Sequence, residues 1–90
     1  MKHPNGGGFV SDTAFAAKTA YVGPNAQVRD RAQVLDSAKI CGYAEISGNA
    51  VISGEATIGD TATVHGTAEV CGSARVGSFS VVTGNSKVTL

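Results

Sequence analysis

The sequence predicts an all-β fold: a single-stranded, triangular parallel β-solenoid with eighteen residues per coil and four to five coils. Three observations predict it. An aliphatic residue returns at every sixth position from Val10 to Val88, and this slot holds thirteen of the fifteen Val and Ile residues. Two places before it stands an alanine, eleven times out of the thirteen alanines in the chain. Two places after it, glycine is frequent, as at Gly42, Gly48, Gly54, Gly66, Gly72 and Gly84. The register runs through fourteen hexads without insertion or deletion, and the stretch AEISGNAVISGEATIGDTATVHG, residues 44–66, shows it most clearly.

A helix does not obey such a period, because six residues turn it by about 240° and scatter the aliphatics over three faces. A short strand does obey it locally, since Ala-x-Val points in, out, in. After the aliphatic come one outward residue and two corner residues, and glycine there supplies the positive φ of a tight corner. Three corners close a triangle, and successive coils pair as parallel strands about 4.8 Å apart, for a rod roughly 22 Å long. The chain has no Trp and only five aromatic residues, which fits a narrow core of small side chains.

In chain order, residues 1–7 are a Gly-rich leader and residues 8–90 the solenoid. The outward positions fall on three faces. One presents Tyr21, Lys39, Thr57 and Arg75; the second presents Phe9, Gln27, Glu45, Thr63 and Val81, with His65 beside them; the third presents Phe15, Gln33, Val51, Glu69 and Lys87. On the third face Phe15, Ala17, Leu35 and Val51 form an apolar patch, and clustered apolar surface marks an association site. A corner column of Asn25, Tyr43, Thr61 and Phe79 is a second candidate surface. No dedicated capping segment is evident from the pattern; Phe9 and the Gly-rich lead are expected to fold over the first coil, and the last coil is expected to be open. The last coil, with Val82, Val88 and Leu90, is expected to take a second copy by end-to-end strand addition.

AEISGNAVISGEATIGDTATVHGTAEV resembles the hexapeptide-repeat family of left-handed parallel β-helices, in which an aliphatic residue is followed four places on by a small one, as in Ile46/Ala50, Ile52/Ala56, Ile58/Ala62 and Val64/Ala68. The resemblance covers residues 8–90 and implies the left hand, against the right-handed rule that holds for about 98% of parallel crossovers. It is similar in style to repeat-only bacterial β-solenoids, many of them labelled acyltransferases on fold alone. Acyltransferases of the family commonly use a His beside an extended loop, and its carbonic anhydrases use three His ligands for zinc. This chain has two histidines, His3 and His65, and no inserted loop.

Chemistry is therefore expected to be absent. His65 is an outward residue whose column reads Arg29, Ser47, His65, Thr83, and surface decoration is the plainer reading; it is the one weak catalytic candidate. His3 lies in the leader without metal-ligand spacing, and no Ser-His-acid cluster stands out. No cofactor and no metal site are expected. Cys41 and Cys71 lie thirty residues apart, on different faces, so a bridge within the roughly 7 Å Cα limit is not expected. Zero net charge without a basic stripe argues against nucleic acid, and no apolar run reaches the ~18 residues of a membrane span. Free thiols and the lack of a signal peptide point to the cytoplasm. The expected function is structural: a self-associating rod, scaffold or spacer that forms a homo-oligomer laterally or end to end. The alternatives are an acyltransferase-like enzyme with a site at a subunit interface, and a flat-face binder of polysaccharide or ice.

Overall fold

A computed structural model describes residues 3–77, 81–84 and 87–89. It is all-β among the described residues, with fourteen short strands that begin every six residues. They sort into three parallel sheets. Sheet A stacks β1 (Phe9–Val10), β4 (Gln27–Val28), β7 (Glu45–Ile46), β10 (Thr63–Val64) and β13 (Val81–Val82). Sheet B stacks β2 (Phe15–Ala16), β5 (Gln33–Val34), β8 (Val51–Ile52), β11 (Glu69–Cys71) and β14 (Lys87–Thr89). Sheet C stacks β3 (Tyr21–Val22), β6 (Lys39–Ile40), β9 (Thr57–Ile58) and β12 (Arg75–Val76). Each strand pairs with the one eighteen residues on, as Val10 with Val28 and Val34 with Ile52, and the result is a β-solenoid of about four coils.

The period-six slots explain the core. Val22, Val28, Val34, Ile40, Ile46, Ile52, Ile58, Val64 and Val70 are all 0% exposed, and so are most of the alanines two places before them. Each aliphatic stacks on its equivalents in the coils above and below, and the methyl of Ala fills the narrow space beside each corner. At the ends the packing thins: Ala14, Ala16 and Val88 are only partly buried against the core.

Backbone hydrogen bonds run between coils through the corners as well as the strands. Gln27 N–H donates to Ala44 O at 3.0 Å and Arg29 N–H to Ile46 O at 2.7 Å; at the corner Arg31 N–H donates to Gly48 O at 2.9 Å. Continuous pairing of this kind answers the requirement that buried backbone groups be bonded. A second bond closes most of the corners on themselves, as from Ala32 N–H to Arg29 O at 3.2 Å.

The corners hold the first feature the sequence pattern did not single out. Six glycines take positive φ in the slot two places after the aliphatic, and Asp30, Asp36 and Asp60 share that slot with φ of 59°, 59° and 56°. Asp tolerates the left-handed region because its short polar side chain bonds locally. Here it bonds across coils: Asp30 Oδ2 accepts Gly48 N–H and Asp36 Oδ2 accepts Gly54 N–H, both at 3.0 Å. Thr19 adds a hydroxyl donated to Asp36 O at 2.6 Å.

The second is the hydrogen bonding of the leader, for which the sequence predicts only that it folds over the first coil. Rather than trailing away, residues 3–8 lie along the edge of β3. Val22 N–H donates to Asn5 O at 3.0 Å, and Gly8 N–H donates to Val22 O at 2.9 Å. The Gly-rich lead thus covers the first coil as expected, while Phe9 stays in β1.

Candidate functional site

Sheet B brings Phe15, Ala17, Leu35 and Val51 onto one face, over three consecutive coils. Phe15 pairs with Gln33 and Gln33 with Val51, so the exposed Gln33 divides the Phe15–Val51 column. The apolar path instead runs from Ala17 to Leu35, eighteen residues on, and then diagonally to Val51. Phe15 is 56% exposed, while Ala17, Leu35 and Val51 are half-buried. Burying a large side chain is worth about 1.5–3 kcal/mol, so Phe15 is the residue with most to gain from a partner.

Phe15 also forms the rim of a half-open cavity of about 640 Å³ at the N-terminal end, lined mainly by apolar groups of Val10, Ala14, Phe15, Ala16 and Ala17, with His3, Pro4 and Lys18 around them. The cavity is the upper end of the core, where β1 and β2 are the last strands of their sheets. The repeat predicted an inward column here; the small Ala16 in the aliphatic slot leaves the space.

His65 sits on sheet A, half-buried, with Nδ1 3.1 Å from the hydroxyl of Thr83, the next residue in its column. On the same sheet, Glu45 one coil away and Arg29 two coils away form an ion pair of 2.6 Å, with side chains 43% and 47% exposed. His3 has a different setting. It is 5% exposed, and its Nε2 lies 2.9 Å from Ala20 O. A carbonyl only accepts, so Nε2 carries the proton in this bond.

Cys41 and Cys71 are free and half-buried, Cys41 directly after β6 of sheet C and Cys71 at the end of β11 in sheet B; the Cys41 thiol donates to Ile58 O at 3.5 Å. Among the described residues no group of three or more His, Cys, Asp or Glu side chains converges as metal ligands would, and no helix is long and apolar enough to cross a membrane. Of the proposed end-stacking residues, Val82 is 9% exposed and Val88 half-buried, while Leu90 lies outside the described residues. In the corner column Tyr43 is 66% exposed and Thr61 is exposed beside it; Phe79 lies outside the described residues.

Fold and surface together define the chain as a parallel β-solenoid with a uniform aliphatic interior, its chemical variety confined to the outer faces and the ends. Comparison with protein families, curated proteins and solved structures gave no match for the chain.

Proposed function

We propose that the chain is a rigid structural module, a rod or spacer that associates with a second copy through the outer face of sheet B. The observation that carries this reading is Phe15, 56% exposed at the edge of a flat sheet that also presents Ala17, Leu35 and Val51. A parallel ladder bonded at every coil resists bending, and a flat face lets two such rods pack side by side without rearranging.

The six-residue recurrence of strands from Phe9 to Lys87, with the aliphatic of each hexad turned inward, further supports placing the chain with the hexapeptide-repeat, left-handed solenoids.

Light-scattering mass in reducing buffer tests the association. A fixed dimer or trimer is expected, falling to monomer in the Leu35→Glu/Val51→Glu double variant. Both side chains are outward and half-buried, so the core should survive the change. An oligomer of unchanged mass in the folded double variant would rule the face out.

A further inference from the structure

We propose that residues 3–8 are a latch that closes the N-terminal end of the solenoid against the C-terminal coil of a second copy, so that releasing it turns the module into a unit of head-to-tail growth. The latch occupies a strand site. On one side Tyr21 and Val22 pair with Lys39 and Ile40, and on the other Val22 is bonded through both N–H and C=O to Asn5 and Gly8. A second copy adding a strand above β3 would need those same Val22 groups.

Its fit is built rather than incidental. Residues 3–8 fold back on themselves through His3 N–H to Gly8 O at 2.7 Å and Gly7 N–H to His3 O at 2.9 Å. A Cβ at Gly6 would lie 2.3 Å from Val22 O, and one at Gly8 would lie 2.2 Å from Gly23 O, so the close approach needs glycine at both places. Two side chains then fasten the segment to one carbonyl, His3 Nε2 at 2.9 Å and Asn5 Nδ2 at 3.1 Å from Ala20 O. Pro4 has no N–H to offer a further strand, a common way of blunting a sheet edge.

The excluded occupant follows from the ladder itself. β12, β13 and β14 end the same three sheets at the opposite pole, all strands are parallel, and Val76, Val82 and Val88 head the inward columns there. Set above β1, β2 and β3 respectively, after a turn of one side of the triangle, β12, β13 and β14 would continue the six-residue register and place Val82 over the small Ala16, in the cavity that His3 and Pro4 border. With the latch shut, the second copy's β14 cannot pair with β3, and a stacked copy would join only two of the three sheets.

The test uses the full chain with His3→Ala/Asn5→Ala, which removes both bonds to Ala20 O. Hydrogen exchange should show the Gly8 and Val22 amides losing protection while Cys41 and Ser47, bonded inside the coils, keep theirs. Light scattering over a concentration series should then show a mass that climbs without a plateau, against a wild-type mass that levels off. Ala16→Glu in the unlatched chain should stop the climb. If the double variant does not fold, Gly6→Ala forces the latch off Val22 from outside the coils and serves in its place. An unlatched, folded chain with the wild-type mass profile would overturn the proposal, as would a wild type that climbs as steeply as the variant. Lateral pairing is read separately, because it gives a fixed multiple lost in Leu35→Glu/Val51→Glu, whereas head-to-tail growth would persist there.

Discussion

Asp36 and Gly54, eighteen residues apart, face each other at the same corner of successive coils, and the Asp36 carboxylate accepts the Gly54 N–H at 3.0 Å. Asp36 does this from a φ of 59°, and Asp30 stands to Gly48 in the same way. One side chain thus tolerates a strained backbone and binds the next coil. Alanine at position 36 keeps the strain and loses the bond. Asp36→Ala should therefore cost about 1–2 kcal/mol, the worth of the lost charge-assisted bond to the Gly54 N–H. Asp36→Asn, with an acceptor of the same reach, should stay close to wild type, and Asp36→Gly should fall between. Urea midpoints at constant m-value rank the three; a midpoint for Asp36→Ala equal to that of Asp36→Asn would contradict the account.

Glycines at these corners differ in what crowds them. A Cβ on Gly54 would lie 2.8 Å from Gly72 O and 2.9 Å from Gly72 N, whereas one on Gly84 meets nothing within 4 Å. Both have φ of +66°, so the backbone penalty is shared and only the contact differs. Gly54→Ala should destabilise by clearly more than the ~1–2 kcal/mol that the left-handed region alone costs, and Gly84→Ala by about that amount. Gly54→Asn should recover part of the loss by bonding the Gly72 N–H, as Asp36 bonds Gly54. Equal melting temperatures for Gly54→Ala and Gly84→Ala would show that corner crowding is unimportant.

Ile52 is fully buried between Val34 and Val70 in one inward column of sheet B. Its truncation leaves a cavity that neighbours in a continuous ladder cannot close. Ile52→Ala should cost about 2–5 kcal/mol. Val51, one residue earlier and outward, should tolerate Val51→Thr with little change in the denaturation midpoint. A small effect at Ile52 would mean the coils collapse around the gap.

The Arg29–Glu45 pair spans neighbouring coils at 2.6 Å, yet both side chains are more than a third exposed. Solvent and salt screen such a pair to about 0–1 kcal/mol. Glu45→Gln is expected to shift the midpoint only slightly, and less in high salt than in low. A loss of several degrees in melting temperature that persists at high salt would assign the pair a larger role.

Most of the fold was legible in the spacing of Val, Ile and Ala, because the inward residues repeat with the coil: once Val28 faces in, so do Val10 and Ile46 at the same place in adjacent coils. The faces were legible for the same reason, and Phe15, Ala17, Leu35 and Val51 do share the outer face of sheet B, with Gln33 between Phe15 and Val51 as the eighteen-residue spacing required. The Asp corners carried a signal that went unread: Asp30, Asp36 and Asp60 occupy the glycine slot, and Asp is one of the few residues at ease there.

The sequence by itself determined the eighteen-residue coil, the aliphatic interior and the three outer faces, since each depends on a translation the chain repeats along its own length. Only the tertiary structure decided how residues 3–8 are held over the first coil. They carry no period, and their partners, Ala20 and Val22, become neighbours only after the first coil has closed and exposed the edge of β3. The burial of His3 depends on that closure, because the carbonyl that holds its ring belongs to a corner some seventeen residues away.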